Sequence, residues 1–340
     1  MKPLSAADPT ALRRGSNNPM LEHRPVMLSE TLAGLAARRD GVYVDATFGR
    51  GGHSAAILEA IGDSGELHAL DRDPQAAHAA WTRFGTHRNF RIHRRNFAEL
   101  AALGRELGLE GRVDGLLMDL GVSSPQFDDA SRGFSFANDG ALDMRMDPDS
   151  GESAAQWLAR AREAEIADVL WTYGEERASR RIARRIVEAR ALEPITRTVQ
   201  LAELIARAVP GPRQKIHPAT RSFQAIRIFI NGELDALNAA LEASRTLLAV
   251  GGRMAVISFH SLEDRIVKRF FREAGVRSGT SAPGRNPAMD PRRFLEEVGL
   301  GSGDSKPEFR AVSREFPKDE ECAVNPRARS AVLRVAEKQR

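Results

Sequence analysis

From Val42 to Leu120 the hydrophobic pattern switches repeatedly between short apolar runs and helical periodicity. Val42, Tyr43 and Val44 are β-branched or aromatic and predict a buried strand, whereas Ala55, Ile57, Leu58 and Ile61 recur at the spacing of one helix face. Glu66 to Asp73 predicts a second strand ending in acid, with a helix from Pro74, whose fixed φ suits a first helical turn. Phe90 to Phe97 predicts a third strand, Ala98 to Leu107 a helix, and Val113 to Leu120 a fourth strand with Asp119 at its end. Upstream, Ser29 reads as the N-cap of a short helix whose Leu32 and Leu35 face inward. Strand and helix in alternation imply a parallel sheet with right-handed crossovers, an α/β fold.

From Asp147 the pattern is helical only. Ser153 to Ala161, Glu165 to Tyr173, Glu176 to Ala189 and Val199 to Val209 are short helical stretches with no strand between them, which reads as an inserted all-α domain. His217 to Leu248 then predicts one long helix with Phe223, Ile226, Ile230, Leu234, Leu237 and Leu241 as its buried stripe. Gln224, Arg227 and Asn231 form a polar stripe beside it, facing either a crevice or water. Gly251-Gly252 turns into a strand from Met254 to Phe259, His260 to Asp264 opens a helix, and Phe309 to Phe316 with Ser330 to Val335 predict a closing antiparallel hairpin. The expected organisation is a flexible tail over 1–20, a first sheet segment over 21–146, the helical insertion over 147–214 and a second sheet segment over 215–340. His23 reads either as the border of a pocket or as an ordinary exposed histidine, and 276–291 reads as a variable loop.

At 340 residues the chain has room for two domains or for one with a large insertion, as the change of pattern suggests. Lys and Arg total 50 against 46 acidic residues, a net charge of +4 that is compatible with a nucleic-acid partner without identifying one. Arg supplies 44 of the 50 cations. That suits phosphate contacts, although the abundance of Ala points equally to a GC-rich coding bias. Cys322 is the only cysteine, which excludes an intrachain disulfide and a thiolate zinc site and fits a reducing compartment. No apolar run approaches the ~20 residues that span a bilayer, and the N-terminus lacks the apolar stretch of a signal peptide. A soluble, cytoplasmic protein without a membrane partner is expected, and the sequence leaves a homodimer open.

Candidate chemistry concentrates after the first strand. Gly49, Gly51 and Gly52 lie between strand and helix, where a nucleoside approaches the backbone, and Asp71 lies 22 residues past Gly49, near the ~20 expected of a carboxylate that binds ribose hydroxyls. Two nucleoside enzymes fit: a nicotinamide dehydrogenase and a methyltransferase using S-adenosylmethionine. The dinucleotide fingerprint started at Gly49 requires Gly or Ala where Ser54 stands. Asp45, at the strand tip, would repel a pyrophosphate but attract a sulfonium or ammonium ion. Both points favour the methyl donor.

The stretches Asp45-Ala-Thr-Phe-Gly-Arg-Gly-Gly-His-Ser54, Asp119-Leu-Gly-Val-Ser-Ser-Pro-Gln126, Arg132-Gly-Phe-Ser-Phe136, Leu142-Asp-Met-Arg-Met-Asp147 and Tyr173-Gly-Glu-Glu176 together closely resemble the bacterial small-subunit rRNA cytosine-N4 methyltransferase family, RsmH or MraW. His217-Pro-Ala-Thr-Arg221, Ile257-Ser-Phe-His-Ser-Leu-Glu-Asp-Arg265 and Asn325-Pro-Arg-Ala-Arg-Ser330 extend the match, which runs from about His23 to Glu337. The resemblance implies a class I, Rossmann-like methyltransferase with a mostly parallel seven-stranded sheet and an inserted helical domain for substrate recognition. It implies S-adenosylmethionine as donor, no metal, and as substrate a cytidine in the decoding region of 16S rRNA within the small ribosomal subunit. Residue by residue, it implies that Gly51, Gly52 and His53 touch the donor's methionine part, Asp71 its ribose and Phe97 its adenine, with Asp119 and Gln126 completing the site.

Cytosine N4 is a weak nucleophile because its lone pair is delocalised into the ring, so alignment with the activated methyl should lower the barrier more than a strong base does. Asp119, Ser123, Ser124 and the carbonyls near Pro125 are placed to accept the amino hydrogen. Arg180, Arg181, Arg184 and Arg185 crowd one predicted helix, and a solvated amphipathic face explains them about as well as contacts to rRNA phosphates. His260 and Asp264, at a helix start, suit a hydrogen-bonded structural role better than a metal or acid–base pair. A non-catalytic RNA-binding factor on the same fold is the alternative, and the intact glycine loop and Asp71 speak against it.

Overall fold

The computed structural model describes residues 25–209, 217–274 and 308–340, so the 1–20 tail, His23 and the 276–291 loop lie outside the described residues. Strands β1 (Val42–Asp45), β2 (Glu66–Leu70), β3 (Phe90–His93), β4 (Val113–Asp119) and β5 (Leu248–Ser258) pair in parallel, and β6 (Phe309–Glu315) and β7 (Val332–Lys338) close the sheet antiparallel. The spatial order is β3-β2-β1-β4-β5-β7-β6. It reverses between β1 and β4, and a crevice opens at the carboxyl ends of the strands where such a reversal occurs.

The first helices are α1 (Leu28–Leu35), α2 (Gly52–Ile61), α3 (Pro74–Phe84), α4 (Leu100–Leu107) and the short α5 (Ser124–Asp128). Next come α6 (Ala154–Arg160), α7 (Glu163–Gly174), α8 (Ser179–Arg190), α9 (Thr198–Ala208) and α10 (Ala219–Asn231), followed by α11 (Glu233–Leu247), α12 (Ser261–Ala274) and α13 (Asp319–Val324). None of the described helices is long and apolar enough to cross a membrane.

Strand alternation divides the sheet side chains between two cores. Val44, Leu116, Met118, Met254 and Val256 pack with α4, α11 and α12, while Tyr43, Leu117, Ala255 and Ile257 pack with α1, α2 and α3. Full burial of each such Leu or Ile stabilises the fold by about 1.5–3 kcal/mol relative to exposure. A third core gathers Trp157, Ile166, Leu170, Ile182, Ile186, Leu201 and Ile205 from α6 to α9. It also draws in Leu142, Met144 and the α10 residues Phe223 and Ile226, so by packing the helical unit runs past the 214/215 boundary to Gly232.

The expected long helix is two helices. Gly232 sits at φ 59°, a left-handed conformation that ends α10 and lets α11 start in a new direction. The six-residue stripe is therefore split: Phe223 and Ile226 serve the helical core, Leu237 and Leu241 the sheet core, and Ile230 and Leu234 are half-buried at the junction. The third strand stops at His93, because Asn96 caps a 3-10 turn from Phe97 to Glu99 by accepting from the Ala98 N–H (3.0 Å), while Glu99 accepts from the Asn96 N–H (3.1 Å). Strand β5 starts earlier than expected, at Leu248, and passes through Gly251-Gly252 as a bulge against β4. The N-cap of α1 is Met27 rather than Ser29, with the Met27 N–H donating to Glu321 Oε1 at 2.8 Å.

Candidate active site

The loop after β1 is held from below. Asp45 is completely buried, accepting from the Thr47 N–H (3.1 Å) and Ser54 Oγ (2.6 Å), and burial raises its carboxyl above the usual carboxylate range. It knits the loop to α2 and does not line the cavity, so the attraction of a cation expected of it passes to the carboxylates that do, Asp71 and Asp119. Gly51 caps α2 at φ 72°, where a Cβ would lie 2.5 Å from the Phe48 ring, so both conformation and space require glycine.

Asp71 follows β2 and is clamped by two main-chain donors, the Gly49 N–H to Oδ2 (2.8 Å) and the Asp73 N–H to Oδ1 (2.9 Å). Burial pushes its carboxyl up to about 7, against those hydrogen bonds. A carboxylate offers about four lone-pair sites, so two remain for a diol. Asp119 ends β4; its Oδ2 lies 3.5 Å from His53 Nε2 and its Oδ1 is buried with no hydrogen-bond partner among the described residues. His53 is buried with neither ring nitrogen hydrogen-bonded. Burial opposes its protonation, but the Asp119 and Asp45 carboxylates outweigh that and raise it above the ordinary histidine value.

These groups line a cavity of about 810 Å³, together with Gly49, Gly52, Phe97, Ser123, Ser124, Pro125 and Gln126. All the residues expected at the donor and transfer sites thus border it, except Gly51, which is turned toward the Phe48 and Phe84 rings. Gln126 borders it as a wall with its amide already committed: Nε2 donates to Asp73 Oδ2 (2.7 Å) and Oε1 accepts from the Ser123 N–H (2.9 Å). The α8 arginines lie elsewhere. Arg180, Arg181, Arg184 and Arg185 are exposed and none lines the cavity; Arg184 is 3.8 Å from Glu163 and Arg185 3.1 Å from Glu188.

Sequence reasoning missed the supports. Asp73 caps α3 through Oδ1 (Gln75 N–H, 2.9 Å), and its Oδ2 also accepts from Arg132 Nη1 (2.8 Å) in a buried ion pair. Arg132 Nη2 reaches the carbonyls of Arg145 (3.1 Å) and Met146 (2.9 Å). Asn231, at the end of α10, accepts from the Met146 N–H (2.8 Å), donates to Met144 O (2.8 Å) and receives Arg72 Nη1 on its own carbonyl (2.9 Å). Arg227 holds Glu233 through two 2.8 Å contacts. Arg227 and Asn231 of the α10 polar stripe therefore face a protein junction. The Asp-Pro pair at 73–74 is an N-cap signal that could have found Asp73, and Arg227 and Asn231 stood in the polar stripe without their partners being legible.

His260 and Asp264 do not pair with each other. Asp264 takes Arg334 at 2.7 and 3.1 Å, and His260 Nε2 is 3.1 Å from Glu263, which caps α12 by accepting from the Phe259 N–H (2.8 Å). Glu233, His260 and Glu263 offer ligand atoms within 4.8 Å of one another, but the Arg227 guanidinium already claims both Glu233 oxygens.

A parallel sheet reversing between β1 and β4, a glycine loop, and carboxylates at the ends of β2 and β4 define a class I, Rossmann-like methyltransferase whose donor is S-adenosylmethionine. Residues 20–339 match the model of the MraW methylase family, and the chain belongs to that family. It is 56% identical over 324 residues to "Ribosomal RNA small subunit methyltransferase H" of Thioalkalivibrio sulfidiphilus, covering 95% of this chain and 99% of that one. The protein of the same name from Nitrosococcus oceani is 53% identical over 324 residues with the same coverage. Among solved structures, an rRNA methylase from Streptococcus thermophilus aligns over 94% of this chain and 98% of that chain, at 13% identity and a TM-score of 0.38.

Proposed function

We propose that the protein methylates the exocyclic N4 of a cytidine in the decoding region of 16S rRNA, on an assembled or nearly assembled small subunit in the cytoplasm. The observation that carries this reading is Asp119, a carboxylate at the end of β4 that lines a cavity shared with His53 and the Ser123–Pro125 turn, in a chain whose relatives are named small-subunit rRNA methyltransferases.

The donor fits the residues present. Asp71 keeps free lone pairs for a ribose diol, Phe97 offers a half-buried ring, and Asp119 offers negative charge to a cation. When bound, it supplies a sulfonium-activated methyl group. The protein's part is to hold the amine in line and to accept its hydrogen at the Asp119 carboxylate or at the oxygens of Ser123 to Pro125, which draws the lone pair out of conjugation. The base must first leave its stack, at a cost on the order of a few kcal/mol. The helical unit and the exposed α8 arginines serve subunit recognition away from the cavity.

Nucleoside mass spectrometry of 16S rRNA from cells with and without the gene tests the reading. Loss of N4-methylated cytidine in the deletion strain, restored by the gene but not by its Asp119→Ala form, is the expected result. An unchanged nucleoside profile refutes it.

A further inference from the structure

The donor groups described above occupy only part of the cavity. Its volume of about 810 Å³ lies toward the top of the ~300–1,000 Å³ range of small-molecule sites, room for a second reactant beside the donor. Its lining also includes Phe259 at the end of β5 and five arginines, of which Arg72 is spent on the Asn231 carbonyl and Arg95 on Glu106 (2.9 Å), which leaves Arg50 at the tip of the glycine loop, Arg83 on α3 and Arg327 in the 3-10 turn Pro326–Ser330.

Asp71 and Asp119 stand at the strand ends, where a cationic donor belongs, while these three arginines are exposed and the further carboxylate of the lining, Asp128, is the partner of Arg327. The Arg50 side chain has no hydrogen bond or ion pair among the described residues. Among the described residues Arg83 has no carboxylate partner; its Nη1 donates to the Arg50 carbonyl (3.1 Å) and its guanidinium lies 4.9 Å from the centre of the Phe84 ring. Arg327 is propped on the Phe127 ring at 5.0 Å and reaches Asp128 at 2.9 Å, a pair with side chains 44% and 68% exposed. An ion pair so exposed is held weakly and yields readily to a stronger anion. Three cations exceed what the single carboxylate of an amino-acid donor can neutralise, and the anion that repeats at intervals is a polynucleotide backbone. Phe259 lies beside Gly121, where a Cβ would be 3.7 Å from the Phe259 ring, and so stands next to Asp119 with ring surface in the cavity.

We propose that Arg50, Arg83 and Arg327 clamp the phosphates of the RNA strand on either side of the target nucleotide, and that Phe259 stacks on the extruded base. This rests on the reading of the protein as an RNA methyltransferase. It places the strand at the cavity mouth, away from α8, where Arg184 and Arg185 have acidic neighbours.

The test uses the full chain and purified small ribosomal subunits lacking the modification. For the Arg50→Gln, Arg83→Gln, Arg327→Gln triple variant, subunit binding should weaken at least about tenfold at low salt, and the slope of log affinity against log salt should shrink by about two, three contacts at ~0.7 each for single strands. Donor affinity by calorimetry should stay within about twofold, and the triple Lys variant should keep the parental slope. Phe259→Ala should lower kcat with donor affinity unchanged, and Phe259→Tyr should restore it, since stacking needs only an aromatic face. Unchanged subunit affinity and salt slope in the triple Gln variant overturn the clamp, as does a loss of donor binding, which would assign the arginines to the donor's carboxylate. Because binding is read directly, the clamp is judged even if mass spectrometry shows a product other than N4-methylcytidine, an outcome that would remove the target assignment alone.

Discussion

The sheet half and the helical half of this molecule solve the burial problem separately and meet at a few polar atoms. In the sheet half, period-two alternation feeds two cores and leaves the polar residues at the strand ends, where Asp71 and Asp119 line the cavity. In the helical half, α6 to α9 build their own core around Trp157, and none of their residues lines the cavity. The connection runs through the 132–146 segment, pinned on one side by Asp73–Arg132 and on the other by Asn231. A helical unit with its own core can thus be carried by a methyltransferase sheet without lining its cavity.

The sharpest way to break that arrangement is Arg132→Met, which removes the cation and leaves Asp73 buried. Breaking one partner of a buried pair typically costs about 3–5 kcal/mol. Urea unfolding should show a loss of that size, and calorimetry a loss of donor binding, because Gln126 and the Ser123 turn hang on the same carboxylate. A loss below about 1 kcal/mol would mean the joint is not made here.

Asn231→Ala separates the halves more gently. It leaves the Met146 N–H and Met144 carbonyl without partners, at about 1–3 kcal/mol for each group that stays buried. Since each half has its own core, scanning calorimetry should resolve two transitions where the parent gives one. A single transition merely shifted to lower temperature would show that apolar contact, rather than this side chain, couples them.

The smallest effect concerns the sheet half alone. With Asp71 pushed up to about 7, its ionised form is what a ribose diol and a cationic donor select, so donor affinity should rise as pH increases through about 7. The stability effect has the opposite sign. A carboxyl raised in the folded state favours folding below its unfolded value near 3.8 and loses that contribution as pH climbs through 7. Asp71→Asn should flatten the affinity profile and weaken binding at pH 8 by about 1.5–3 kcal/mol, the scale of hydrogen bonds to a charged group. A parent profile that is flat between pH 6 and 8 would take Asp71 out of the ribose site.

The sequence by itself determined the local features. Alternating Val, Leu and Met residues place the strands, glycines at Gly49 to Gly52 and the acid at Asp71 mark the nucleoside crevice, and the loss of strand signals after Asp147 announces the helices. Each is a property of neighbours within a dozen residues, so periodicity and turn chemistry suffice to read it. The tertiary structure decided what depends on partners far along the chain. Asp45 looked like a ligand-facing carboxylate until Ser54 and the packing above it showed a buried strut. Gln126 borders the cavity, but that its amide is held by Asp73 and the Ser123 N–H is visible only in the tertiary structure. One glycine at 232 divided a stripe that seemed continuous between two cores, because a single left-handed residue redirects a helix while barely altering the pattern. The cavity mouth shows the same limit: Arg50, Arg83 and Arg327 are three among many arginines in the sequence, and only the closure of the sheet by β7 brings the third beside the other two.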